Sequence, residues 1–154
     1  MRLLNIWLII CLLSCSQKYT ETSDSTFLPL LVMKRTACYG TCPQYTVEIY
    51  NTGLVKYEGR MFVDKIGCFY TILSSSIINE IKSNILDVNF FEFKNVYDSP
   101  ITDIPSTILR VNIDGREHEV IDRFKGPLLL KSIHSRIDSI IESVIDWNPC
   151  EILE

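Results

Sequence analysis

Residues 44–59 read QYTVEIYNTGLVKYEG, and their alternation decides the fold class. Tyr45, Val47 and Ile49 fall on one side of an extended chain, and Thr46, Glu48 and Tyr50 on the other. Asn51-Thr52-Gly53 breaks the run with turn chemistry, and Val55 and Tyr57 resume the apolar side within Leu54 to Gly59. A period of two on both sides of a short polar break predicts a β-hairpin with one face turned to a core.

Working outward, Phe27 to Thr36 is apolar and then basic, which predicts a strand ahead of the hairpin. Phe62 to Leu73 predicts a further strand or two short segments interrupted at Gly67. Ser74, Ser75 and Ser76 then offer an N-cap, and Ile77, Ile78, Ile81, Ile85 and Leu86 recur at helical spacing. Phe90, Phe91 and Phe93 are expected to plug the core beneath that helix. Asn95 to Pro105 has the composition of a loop. Thr107 to Ile113 and Arg116 to Asp122 flank Asp114-Gly115, a two-residue hairpin signal. Pro127 opens a last helix whose stripe runs Leu130, Ile133, Ile137, Ile140, Ile141, Val144 and Ile145, with Trp147 at its end and Pro149 as its stop. The expected fold is α+β: an antiparallel sheet of about six strands in the order β-β-β-β-α-β-β-α, with two helices packed on one face.

The N-terminus carries an address. Arg2 precedes an apolar run from Leu3 to Leu13, too short for the ~20 residues of a spanning helix. Leu12-Leu13-Ser14-Cys15 has the form of a lipobox, implying cleavage before Cys15, lipid on its sulfur and acylation of its new amino group. Two or three acyl chains hold a protein on a membrane durably where one does not. Ser16 follows, with no aspartate to retain the protein at an inner membrane, which favours the outer membrane of a two-membrane cell. The expected organisation is a signal peptide over 1–14, a lipidated flexible tether over 15–26 and one domain over 27–154.

The chain has 15 basic and 19 acidic residues, and loss of Arg2 leaves the mature part more acidic still. Nucleic acid is therefore not an expected partner, since it needs a basic patch. Of six cysteines, Cys11 leaves with the signal and Cys15 takes lipid. Cys38, Cys42, Cys68 and Cys150 remain, an even set that allows three connectivities in an oxidising compartment and four thiols in a reducing one. Proximity favours Cys38 with Cys42, leaving Cys68 with Cys150.

Arg35-Thr36-Ala37-Cys38-Tyr39-Gly40-Thr41-Cys42-Pro43-Gln44-Tyr45, the later Tyr57-Glu58-Gly59, Phe90-Phe91, Tyr97 and Thr102-Asp103-Ile104-Pro105 together resemble the DUF6438 family, a bacterial domain of unknown function. That family carries R-x-x-C-[FY]-G-x-C-P-x-Y and a downstream T-D-x-P. The resemblance runs from about Leu31 to Trp147 and rests mainly on the C-x-G-x-C-P string. It implies an α+β domain, often exported, with no assigned activity. Cys68 and Cys150 lie outside the motif, a further reason to pair them.

Candidate chemistry is sparse. A thiol oxidoreductase needs a thiolate stabilised by a helix N-terminus or a cation; Arg35 supplies a charge, but Cys38 and Cys42 lead into a strand. His118 and His134 stand alone without metal-ligand spacing, His118 expected in solvent and His134 at the edge of the apolar stripe. Asp98 and Asp103, beside Tyr97 and Thr102, have the types for acid–base work or calcium, although a long turn also uses aspartate and proline to cap itself. Asp103 is expected to accept a charged hydrogen bond from Arg35, making Arg35, Tyr97, Asp98 and Asp103 one candidate cluster. No phosphate loop, nucleophile elbow or Ser/His/Asp grouping is present, so an enzyme is the less favoured expectation, and no metal or cofactor is expected. The reading favoured is a lipid-anchored envelope binding module for a protein or small ligand, using the sheet face or the 95–105 loop with Tyr39, Tyr45, Tyr50, Tyr57 and Tyr97 as aromatic contacts. The alternative is an envelope thiol–disulfide redox protein using Cys38 and Cys42.

Overall fold

The computed structural model describes residues 28–150. The expected signal segment, the expected lipidation site Cys15 and the expected tether lie outside the described residues. The order is β1 (Pro29–Arg35), β2 (Gln44–Tyr50), β3 (Leu54–Met61), β4 (Gly67–Ile72), α1 (Ser75–Asp87), a single 3-10 turn (Phe90–Glu92), β5 (Val96–Tyr97), β6 (Thr107–Ile113), β7 (Arg116–Asp122), α2 (Leu128–Ser143) and β8 (Asn148–Pro149).

All eight strands form one sheet in the order β5-β7-β6-β1-β2-β3-β4-β8. The fold is α+β as expected, but the sheet is larger than six strands and not wholly antiparallel. The two additions are two-residue edges. β5 pairs parallel to β7, and β8 pairs antiparallel to β4 beside the Cys68–Cys150 disulfide. Strands so short carry no alternation, and their neighbours place them.

Alternation sets the two faces. Met33 pairs with Val47 and Leu109, Val47 with Tyr57, and Leu109 with Val120, so one apolar row crosses five strands. All five are buried, and Ile78, Ile81 and Ile85 of α1 and Leu130, Ile133, Ile137 and Ile140 of α2 join the same core. Phe90 is fully buried, with Phe91 and Phe93 meeting it edge-on. An Arg136–Glu80 ion pair of 2.6 Å ties α2 to α1.

Several boundaries differ from expectation for local reasons. Ser74 occupies the N-cap of α1, but its hydroxyl bonds Ser76 Oγ at 2.8 Å and caps no backbone N–H. Residues 62–66 form a loop between β3 and β4, entered through Phe62 at φ 55°, so their apolar character is not strand character. Pro127 is itself the N-cap of α2, and the helix ends at Ser143, ahead of Pro149. Ile145 is consequently 91 % exposed rather than part of the stripe. Asp114 and Gly115 both take positive φ, 52° and 78°, the paired left-handed turn that the β6–β7 hairpin requires. No described helix is long and apolar enough to cross a membrane.

Candidate functional site

A second row lies beside the apolar one on the covered face, at the end of the sheet where β1 runs into its loop. Asp122 pairs with Thr107, Thr107 with Arg35, Arg35 with Tyr45, Tyr45 with Gly59 and Gly59 with Gly67. Four polar side chains from four strands thus stand side by side under α2. Polar groups buried there need partners, and α2 supplies them from one turn, His134 and Asp138 at i and i+4.

Asp138 is the hub. Its two carboxylate oxygens accept from Arg35 Nε (3.3 Å) and Nη2, and Oδ1 also accepts from the Tyr45 hydroxyl. Arg35 Nη1 donates to Thr107 Oγ1 at 3.0 Å, and Nε also lies 3.1 Å from the Tyr45 oxygen. Burial opposes charge on Arg35, yet the Asp138 carboxylate outweighs it and holds the guanidinium above its usual pKa. Burial, then the bond to Asp138, pushes the Tyr45 hydroxyl well above the usual tyrosine range. Both groups keep their protons at neutral pH and form a fixed, hydrogen-bonded floor.

The other end of the row is closed. Asp122 accepts from Gly126 N at 3.0 Å, and a Cβ at Gly126 would lie 2.5 Å from that carboxylate. His134 Nδ1 lies 4.0 Å from Asp122, and its Nε2 is buried without a partner among the described residues. Burial, then the charge of Arg35, depresses His134 to about 4, so the ring is neutral at pH 7. It is core, not the edge of a stripe.

Where the row reaches Gly59 it opens into a cleft of about 400 Å³. A Cβ at Gly59 would strike the Lys65 carbonyl, so glycine is what lets the 62–66 loop fold close against β3. Tyr45 stacks on Tyr57, and Trp147 meets Tyr57 at a tilt of 49°, each pair 5.5 Å between ring centroids. Arg35 and Asp138 lie in the floor, and Asp64, Lys65 and Glu142 stand at the rim. Burial, then the charge of Asp64, raises the Tyr57 hydroxyl, so the rim carboxylate acts on the aromatic wall.

The residues predicted as one cluster are divided. Arg35 takes Asp138 as its carboxylate, not Asp103, because α2 lies directly over its strand while Asp103 sits exposed in a loop at φ 61°. Asp98 pairs with Arg123 at 3.3 Å, and Arg123 also donates to the Ile101 carbonyl. The two motif regions still meet, through backbone. Thr36 N donates to Ser106 O at 3.0 Å and Tyr39 N to Asp103 O at 3.1 Å. Cys38 is bonded to Cys42, with Cα atoms 5.8 Å apart, and Cys68 to Cys150 at 5.3 Å. Cys150 N also donates to Cys68 O, stitching the C-terminal strand to the sheet.

Tyr39 is 92 % exposed, whereas Tyr45 and Tyr57 are buried walls of the cleft. Tyr97 accepts from Lys94 N, and Tyr50 donates to Glu48 on the open face. His118 is not in solvent, because its register opposite Val111 puts it on the covered face. There its Nε2 lies 2.9 Å from Phe93 O and its ring meets Phe90. Among the described residues no three His, Cys, Asp or Glu side chains stand as a metal-binding group. Sequence reasoning missed Asp138, whose only signal is a carboxylate on the flank of an apolar helical stripe, four residues after His134.

The sequence model of the family described as a domain of unknown function (DUF6438) matches residues 29–141, from the first residue of β1 to the last turns of α2. No curated protein matches the chain. The matched span is well over half of the sequence and takes in the disulfide loop, the polar row and Asp138, so the chain belongs to the DUF6438 family.

Proposed function

We propose that the chain is a binding module held at the cell envelope by lipid on Cys15, on the outer membrane of a two-membrane cell, and that the cleft over Tyr45 and Tyr57 takes its ligand. The observation that carries the reading is the cleft itself. Its volume is within the ~300–1,000 Å³ used by small-ligand sites. Its floor is preorganised, with Arg35 and Tyr45 fixed by Asp138, so binding need not order them. The ligand is a small molecule or a side chain of an envelope protein. The lipobox at Leu12 to Cys15 and the polar stretch that follows support the anchor.

In the mature protein Trp147 is the only tryptophan, because Trp7 lies in the signal segment. Its emission therefore reports on the cleft. A screen of small fragments against the lipidated protein in detergent should give saturable shifts in Trp147 emission, and a screen in which none appears removes the cleft from the proposal. Mass spectrometry of the protein recovered from bacterial membranes should find acyl chains on Cys15, and a Cys15→Ala variant should leave the membrane fraction.

The redox alternative has a half-buried disulfide next to an exposed Tyr39 in its support. Against it, β2 follows Cys42 almost directly, and among the described residues neither helix begins beside the pair in the chain to stabilise a thiolate. A Cys38–Cys42 reduction potential below about −300 mV marks a structural bond, whereas a markedly higher one would favour the redox reading.

A further inference from the structure

Resting on the reading of the cleft as a ligand site, we infer that its ligand is an organic cation, an ammonium head on an apolar stem. The first observation is the wall. Tyr45, Tyr57 and Trp147 form a continuous series of three rings, and Val63 and Ile141 line the same space. Ring faces attract a cation, worth about two- to thirtyfold in affinity according to how dry the site is. Aliphatic and aromatic neighbours reward a stem.

The second observation is charge. The cleft is lined by three carboxylates, Asp64, Asp138 and Glu142, against two cations, Arg35 and Lys65. Arg35 is committed: Nε and Nη2 donate to Asp138 and Nη1 to Thr107. Asp138 is committed in turn to Arg35 and Tyr45. What is left to meet a guest is the rim, where Asp64 and Glu142 form no ion pair among the described residues and outnumber Lys65. An anionic guest would meet Lys65 only alongside Asp64 and Glu142, and could gain a second cation only by drawing Arg35 from Asp138, stranding a half-buried carboxylate. A neutral guest would strip water from the two rim carboxylates and return nothing to them. A cation with a stem satisfies both wall and rim.

The test uses three guests with one four-carbon stem and different heads: n-butylammonium, 1-butanol and butyrate, each titrated into the lipidated mature protein with Trp147 emission as the readout. Butylammonium should bind at least about tenfold more tightly than the other two. Comparable binding of all three, or tighter binding of butyrate, overturns the inference while leaving the cleft a ligand site. Binding of none overturns both.

Two variants address the rim directly. Asp64→Asn with Glu142→Gln should weaken butylammonium about fivefold or more, and Lys65→Gln should tighten it about twofold. The gain cannot come from a misfolded protein, and unchanged affinity in both variants overturns the inference. Nα-acetyl-lysine amide, with its ε-ammonium free, and glycerophosphoethanolamine then separate the two sources of such a head, a peptide side chain and a lipid head group, by which of them competes with butylammonium.

Discussion

On the open face of the sheet, Glu119, Arg110, Val32, Glu48 and Lys56 form one row across five strands; on the covered face the neighbouring polar row is Asp122, Thr107, Arg35 and Tyr45. The residue types are similar and the physics is not. Arg110 meets Glu119 at 2.9 Å, Glu48 accepts from Tyr50 at 2.7 Å, and Lys56 sits over the Tyr50 ring, all in contact with water. Such pairs solvate a face and contribute little stability. On the covered face one carboxylate serves an arginine and a tyrosine beneath a helix, and the row ends in a cleft whose rim charges form no ion pair among the described residues. A charged residue on a strand therefore says little about function until its face and its row are known.

The largest effect expected on the covered face is at His134. Its ordinary value near 6.5 falls to about 4 in the fold, through burial and then the positive charges of Arg35 and Lys131, which together outweigh the opposite pull of Asp122 and Asp138. The unfolded chain thus takes a proton that the folded chain refuses. The contribution to stability is complete above pH 6.5 and is lost as pH falls toward 4, about 3 kcal/mol across that window. Urea midpoints at pH 7 and pH 4.5 should show this loss, and His134→Leu should flatten the difference. An equal slope in both proteins would place the acid sensitivity elsewhere.

Asp138→Ala comes next. It leaves Arg35 and the Tyr45 hydroxyl half-buried without their acceptor, at a cost of about 2 kcal/mol, below the value for a fully buried pair because water reaches the site. Pairing it with Arg35→Met should recover part of that loss, since the stranded charge is then gone. If the double variant is as unstable as the sum of the singles, Asp138 and Arg35 act independently and the row is not a unit.

How much of this could be read from residues in order depends on range. The hairpins over 44–61 and 107–122 were legible because alternation and turn chemistry are local properties, and α2 because its stripe repeats every turn. The 62–66 loop was not, since Phe62, Val63 and Ile66 look like strand, yet the chain turns aside at Phe62, which takes a positive φ, and folds back over Gly59. Nor was the polar row. Arg35, Thr107 and Asp122 become neighbours through the pairing of β1, β6 and β7, and no one of them is unusual on its own strand. Asp103 looked the better partner for Arg35 because it belongs to a motif, whereas Asp138 hides inside helical periodicity. The motif residues do meet, but through Tyr39 N and Asp103 O, a contact that side-chain chemistry does not announce.

Thr107→Val carries the comparison to a single hydrogen bond. Thr107 is buried and gives Arg35 Nη1 its acceptor, so the isosteric change should cost about 1 kcal/mol in thermal or urea unfolding. A cost near zero would mean that water replaces the hydroxyl and that this part of the row is wetter than its burial indicates.

The smallest effect belongs to the open face. Arg110 and Glu119 stand opposite each other, with Arg110 Nε at 3.0 Å and Nη2 at 2.9 Å converging on the one oxygen Glu119 Oε2, whereas Arg35 engages both oxygens of Asp138. Their side chains are 53 % and 37 % exposed, so water already solvates both charges and loss of one strands nothing. A double-mutant cycle through Arg110→Ala and Glu119→Ala should give a coupling below about 0.5 kcal/mol that fades in high salt. The same cycle at Arg35 and Asp138 should give several times more and resist salt. Equal couplings would show that α2 does not change the worth of an ion pair beneath it, and that the contrast between the faces is one of position without energy. The two pairs differ both in burial and in the number of carboxylate oxygens engaged, and both differences favour the stronger coupling beneath α2.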